Sequence, residues 1–160
     1  VYETIKDQKT KGIILDDKEK RITEIGVPMG IIAALIPSTN PTSSTIYKIM
    51  IALKAGNAVI VSPHPNAKDC IIKTAEYLIK AAERKGAPKG LIGVIKTPTL
   101  QATQELMKHK KTSLILATGG EAMVRAAYSS GRPAIGVGPG NGPAFIEKTA
   151  NVKEAVRKII

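Results

Sequence analysis

Between Gly30 and Pro65 the chain reads GIIAALIPSTNPTSSTIYKIMIALKAGNAVIVSPHP, and the spacing of its apolar positions changes from one segment to the next. Ile31 to Ile36 is an apolar run without a 3.6-residue period and too short to span a membrane, which predicts a strand buried on both faces and ended by Pro37. The polar turn Ser38-Thr39-Asn40-Pro41-Thr42-Ser43 follows, and its hydroxyls and amide are suited to capping a helix. From Ser44 to Ala55, apolar residues at Ile46, Ile49, Met50 and Leu53 recur at helical spacing until Gly56-Asn57 ends the pattern. Ala58 to Val61 is a second buried strand, closed by Pro63 and Pro65. Strand, helix and strand within about 30 residues make a right-handed βαβ crossover, hence a parallel sheet. Ligand chemistry is then expected at the carboxyl ends of its strands, here Pro37 to Asn40 and Ser62 to Pro65.

The flanking segments extend this unit. Residues 1–12 are polar and carry no pattern. Gly12 to Leu15 and Arg21 to Ile25 are strand-like and flank the charged turn Asp16 to Lys20, so a hairpin arm is expected. A lone hairpin is marginal in water, so the arm must lean on something else, and another subunit is the expected partner. Asn66 to Lys85 reads as a long amphipathic helix with Ile71, Ile72, Ala75, Leu78, Ile79 and Ala82 facing inward. Cys70, near its start, is expected to be a small buried hydrophobe. Leu91 to Ile95 is a short strand, and Thr97-Pro98-Thr99 opens a helix to about Lys108. His109 follows among lysines and reads as a solvated imidazole.

Leu114 to Ala117 is a buried strand running into Thr118-Gly119-Gly120-Glu121 and a helix from Ala122 to Ser129. That arrangement aims free backbone N–H groups at a phosphate, although two glycines also make an ordinary tight turn. Next comes Gly136-Val137-Gly138-Pro139-Gly140-Asn141-Gly142-Pro143, then a strand-like Ala144-Phe145-Ile146. Glycines at every second position do not pack as a strand, so a loop is expected whose backbone comes close to something. No Gly-Lys-Ser or Gly-Lys-Thr occurs, and no helix follows in phosphate-loop register, which rules out a nucleoside-triphosphate loop of that kind.

Composition narrows the choices. The 160 residues, 43% hydrophobic, suffice for one ordinary domain with its own core. With no Trp and one Phe, the core must be aliphatic, which suits a parallel sheet and argues against the stacking platforms of single-strand and RNA binders. A single cysteine allows no internal disulfide and suits a reducing intracellular setting. There is no signal peptide and no membrane span, so no membrane partner is expected. The chain starts at Val1 without Met and ends on an amphipathic run, Val152 to Ile160, as a piece of a longer protein would. The net charge of +11 belongs to the α/β body, because residues 1–24 hold six basic and six acidic side chains, leaving 18 against 7 elsewhere. Lysines such as Lys48, Lys54, Lys73, Lys80 and Lys85 fall on the helices and read as a solvated face. A basic body also attracts dinucleotides and coenzyme A, whereas no nucleic-acid recognition motif is present.

The segments PSTNPTSS, LKAGNAVIVSPHP, KGAPKGLIGVI and LILATGGEAMVRAAYSSGRPAIGVGPGNGPAFI together resemble CoA-acylating aldehyde dehydrogenases, including the N-terminal half of bifunctional aldehyde-alcohol dehydrogenases. The match is collinear over nearly the whole chain. The resemblance implies a Rossmann-like doubly wound parallel sheet with an N-terminal hairpin arm: residues 1–27 as the arm, 28–160 as the dinucleotide-binding domain. It also implies a reversible reaction of aldehyde, CoA and NAD to acyl-CoA and NADH, in a homo-oligomer. The setting it implies is the cytoplasm or a bacterial microcompartment. The cysteine nucleophile of such enzymes lies in a separate catalytic domain, and Cys70 does not match its position, so this polypeptide alone is expected to be inactive.

Carried over by position, Asn40 matches the asparagine whose side-chain N–H holds the oxyanion formed when the cysteine attacks. A neutral donor suits that charge, while a helix cap is the plainer role for the same residue. Pro37, Ser38 and Thr39 match backbone along the nicotinamide ribose and pyrophosphate. Ser62 stands where hydrolytic relatives carry a lysine for the adenosine ribose, and Pro63, His64 and Pro65 complete that turn. Thr118, Gly119 and Gly120 match the turn that faces the pyrophosphate. No Asp or Glu closes the Ala58 to Val61 strand, so NAD is the expected cofactor on family grounds, with NADP left open.

The loop Gly136 to Pro143, of which the resemblance places Gly136, Val137 and Gly138 among the cofactor-binding residues, departs from hydrolytic relatives, which place a glutamate there as general base. Without a base, water is a poor acceptor for a thioester and the thiol of CoA a better one. A non-catalytic nucleotide-binding or assembly module stays open as a second reading, and a basic nucleic-acid binder as a third. No metal ligand set is evident.

Overall fold

The computed structural model describes residues 1–140 and 142–159; Asn141, in the glycine loop, and Ile160, at the end of the amphipathic run, lie outside the described residues. A short helix α1, Tyr2–Ile5, precedes the hairpin of β1, Gly12–Asp17, and β2, Ile22–Gly26. These two pair antiparallel as a separate sheet, with Ile13 directly opposite Ile25. The N-terminal segment is tied to the body where the Thr10 hydroxyl and the Lys54 ammonium bond Lys54 O and Lys6 O at 2.6 and 2.8 Å.

The body alternates strand and helix: β3 Ile31–Ile36, α2 Pro41–Lys54, β4 Ala58–Pro63, α3 Lys68–Arg84, β5 Ile92–Val94, α4 Leu100–Lys108, β6 Thr112–Thr118, α5 Glu121–Tyr128, β7 Ala134–Val137 and α6 Val152–Ile159. The five strands from β3 on form one parallel sheet in the order β5-β4-β3-β6-β7. Each βαβ crossover must be right-handed, so chain that leaves β3 in opposite lateral directions puts helices on both faces. Ile32, Ala34 and Ile36 of β3 with Val59 and Val61 of β4 pack on Ile49 and Ala52 of α2 and Ile71 and Ala75 of α3. The alternate residues Ala33 and Leu35, with Ile115 and Ala117 of β6, pack on Met107 of α4 and Ala127 of α5. A strand covered on both sides has no polar face, which is why β3 reads as an unbroken apolar run.

The caps follow the sequence only in part. Gly56 closes α2 at φ +78°, and the buried Asn57 turns its Oδ1 back to accept from Met29 N and Gly30 N at 2.6 and 2.9 Å, anchoring the entry to β3. Thr99 caps α4 by accepting from Ala102 N at 3.0 Å. Asn40 precedes α2, but no side-chain cap bond is formed there; Pro41 begins the helix without an N–H to satisfy. The expected capping by this polar turn is therefore replaced by proline.

Two expectations at the C-terminal end are corrected. The first of the alternating glycines is strand after all: Gly136 lies within β7, paired with Ala117. What it approaches is α5, since a Cβ there would lie 2.6 Å from Val124 Cγ1 and 3.0 Å from the Tyr128 ring. Among the described residues, nothing lies within 4 Å of a Cβ position built at Gly138, Gly140 or Gly142. Ala144 to Ile146 form no strand, and Phe145 is 91% exposed, because no neighbouring strand is there to pair with them.

Candidate functional site

Parallel strands present all their carboxyl ends on one edge, and here four of the five end side by side in the order β4-β3-β6-β7, with β7 outermost. That edge gathers the turns at Pro37–Asn40, at His64–Pro65, at Gly119–Gly120 and at Gly138. Backbone bonds fix neighbours at both ends of the row: His64 N donates to Ile36 O at 3.1 Å, and Gly119 N to Val137 O at 3.3 Å. Between β3 and β6 the direction of winding reverses, so the crevice lies above Leu35 and its β6 partner Ala117.

Within the row the candidates differ in what they offer. Pro37 is buried and closes β3, while Ser38, Thr39 and Asn40 are exposed. The Asn40 Oδ1 accepts from Ser44 Oγ at 3.0 Å and Thr39 Oγ1 at 3.3 Å, which leaves the amide N–H₂ as the group it can offer outward. Ser62 and Pro63 belong to β4 and are buried. The Ser62 hydroxyl pairs with Thr103 Oγ1 of α4 at 2.9 Å beneath the sheet, so it does not face the edge as expected of a ribose contact. His64 accepts from Asn66 N at 3.2 Å through Nδ1, which leaves its other ring nitrogen free of that bond.

At the start of α5, Gly119 N is used by Val137, whereas Glu121 and Ala122 occupy the first turn and have no carbonyl four residues back within the helix. The Glu121 carboxylate there would oppose a phosphate, and its pairing with Arg125 at 2.7 Å offsets that charge. The space at the Gly120 Cβ position is open.

A residue that the sequence reading assigned to solvent sits under this crevice. Lys48, expected on a solvated face, is 4% exposed on the inner side of α2. Its ammonium donates to Leu35 O of β3 at 2.6 Å and Leu116 O of β6 at 2.8 Å, the two strands on either side of the switch point. Burial lowers its pKa from 10.5 to about 8. The signal was in the sequence: Thr45, Ile49 and Ala52, all buried, lie three before, one after and four after Lys48 and place it inside their stripe.

Cys70, expected to be buried, is exposed at the start of α3, with Sγ 3.3 Å from Thr42 Oγ1. A separate apolar cleft is lined by Ile31, Ile60, Leu106 and Thr112, at the opposite, amino end of β3 and β6. Among the described residues no three His, Cys, Asp or Glu side chains group to hold a metal, and no helix is long and apolar enough to cross a membrane.

With this geometry in place, the aldehyde dehydrogenase family model matches residues 1–160. The bifunctional aldehyde-alcohol dehydrogenase AdhE of Escherichia coli is 49% identical over 160 residues, all of this chain and 18% of that protein. A probable aldehyde dehydrogenase from Listeria monocytogenes superposes with a TM-score of 0.87 at 59% identity, over 99% of this chain and 35% of that one. A propionaldehyde dehydrogenase from Rhodopseudomonas palustris, solved with bound CoA and an acylated cysteine, superposes with a TM-score of 0.72 at 37% identity, over 83% of this chain and 30% of that one. The chain thus spans 18% to 35% of the length of these relatives.

Proposed function

The chain belongs to the aldehyde dehydrogenase family, and from that premise we propose that it is the dinucleotide-binding portion of an enzyme that interconverts aldehyde, CoA and NAD⁺ with acyl-CoA, NADH and a proton. The observation that carries the reading is the row of exposed turns at one sheet edge, centred on a switch point with Asn40 on one side and Gly119–Gly120 on the other. Residues 28–160 are the binding domain in this reading, and residues 1–27 an arm.

The roles follow from what each group can do. Backbone at Ser38 and Thr39 lies along the ribose and pyrophosphate. The first-turn N–H groups after Gly120 take a phosphate oxygen, and the open space at Gly120 lets it approach. The bound nicotinamide supplies the hydride acceptor in oxidation and the donor in reduction. Asn40, its oxygen held by Ser44, turns its N–H₂ toward the oxyanion that forms when a cysteine outside these residues attacks the aldehyde. The glycine loop, with no acid among Gly136, Val137 and Gly138, leaves water without a base, so the acyl group passes to CoA.

Calorimetric titration of the folded chain with NADH tests the reading: saturable heat is expected, and none at millimolar nucleotide overturns it. The assembly role of the arm has its own support. Ile13 and Ile25, paired directly across the hairpin, are 60% and 61% exposed, and Val27 is 73% exposed. Such a face needs cover, and we assign it to a second copy in a homo-oligomer, in the cytoplasm.

A further inference from the structure

A buried cation with no carboxylate beside it, placed where the sheet changes direction, acts on whatever binds above it. Lysine has three N–H donors and no acceptor, and Leu35 O and Leu116 O take two of those donors. Among the described residues no carboxylate pairs with Lys48. The strands β3, β4 and β6 carry no ionisable side chain at all. The charge is therefore set in a poorly screened layer directly under the crevice, and two strand carbonyls hold it still.

We propose that Lys48 is a specificity-determining cation that makes the crevice prefer the neutral, reduced nicotinamide over the cationic, oxidised one. This rests on the dinucleotide reading above and adds a preference to it. The chemistry is that of like charges: NAD⁺ carries its positive charge on the nicotinamide ring, and NADH does not. In general, two unit charges roughly 12 Å apart at an effective dielectric near 20 repel enough to change an affinity about tenfold. The same cation favours the anionic oxygen that develops beside Asn40.

Lys48 sits close enough to neutral for pH to serve as the probe, since burial lowers its pKa to about 8. Its proton is present below that value and lost above it, so the preference for NADH is expected to hold near neutral pH and fade in alkali. The other ionisable groups on the elements around it are Tyr47 and Lys54 on α2, His64 after β4, Lys68, Asp69, Cys70, Lys73, Glu76, Tyr77, Lys80, Glu83 and Arg84 on α3, and Glu121, Arg125 and Tyr128 on α5. All of these are retained in a Lys48→Met variant, so whatever they contribute is common to both proteins and cancels in the comparison.

The experiment measures the affinity of the 160-residue chain for NAD⁺ and for NADH at about pH 7 and about pH 9.5, which bracket the lysine's pKa. In the parent the ratio of NAD⁺ to NADH affinity should rise with pH. Lys48→Met should raise that ratio roughly tenfold at the lower pH and abolish its pH dependence, while Lys48→Arg should keep the parent ratio. A Met variant that weakens both nucleotides by one common factor is the mark of a purely structural lysine and overturns the proposal. So does a parent ratio that is flat with pH, a result that needs no variant to fold. If neither nucleotide binds the folded parent chain, the dinucleotide reading itself fails, and this inference with it.

Discussion

Gly136 offers a sharp test of how closely β7 and α5 are fitted. It is an inward-facing position of an edge strand, and a Cβ built there would lie 2.6 Å from Val124 Cγ1, 3.0 Å from Tyr128 Cε2 and 3.2 Å from Tyr128 Cζ. Neither neighbour yields easily. Val124 is β-branched on a helix, where one rotamer dominates. The Tyr128 hydroxyl accepts from Gly136 N at 3.0 Å and donates to Gly136 O at 3.4 Å, so moving the ring loses those bonds. Overpacking of this kind costs about 1–3 kcal/mol. Removing a glycine's freedom from the unfolded chain returns about 0.4–1 kcal/mol. Gly136→Ala should therefore destabilise by about 1–2 kcal/mol in urea unfolding followed by circular dichroism. Gly138→Ala is the control, because nothing lies within 4 Å of its Cβ position, and it should be neutral or slightly stabilising. Adding Val124→Ala to Gly136→Ala should recover part of the loss. A Gly136→Ala chain as stable as the parent would refute the reasoning. It also follows that a glutamate meant to restore a hydrolytic base belongs at Gly138, since Gly136 has no room for one.

Other outcomes follow from the same geometry. Gly120→Asp meets no steric obstacle and puts a good cap residue before α5, so stability should hold or rise by about 0.5–1 kcal/mol while NADH binding weakens; opposite signs in melting and titration are the check. Asn40→Ala, tested in a full-length enzyme containing the catalytic cysteine, should lower kcat by roughly 10²- to 10³-fold with NADH affinity little changed. Because Asn40 makes no side-chain cap bond, its stability cost should stay at or below about 1 kcal/mol, and a loss of stability without loss of rate would reverse the assignment. Deleting residues 11–25 should lower the mass measured by light scattering, and an unchanged mass would remove the arm from the assembly.

The elements of the body were legible because their signals are local. An apolar run bounded by Pro37 reads as β3 and one bounded by Pro63 as β4, a 3.6-residue period reads as α3, and Thr99 three residues before Ala102 reads as the start of α4. The family resemblance, carried by several motifs in collinear order, located the turns that the sheet then brings to one edge. Position across the sheet is another matter. That β6 joins β3 on the side away from β4, and so creates a crevice between Leu35 and Ala117, depends on contacts some 80 residues apart that no local pattern records. The direction in which a side chain points has the same origin. The period of α2 marks a stripe, yet only the sheet lying against it shows that Lys48 is under the crevice and that Ile46 is less deeply covered. Ser62 is turned to Thr103 because β4 continues two residues further than its apolar run. Cys70 is exposed because the buried stripe of α3 begins one residue later, at Ile71. Period and punctuation are properties of neighbouring residues and survive in the sequence; burial and charge environment are properties of the whole chain, decided only when distant segments cover one another.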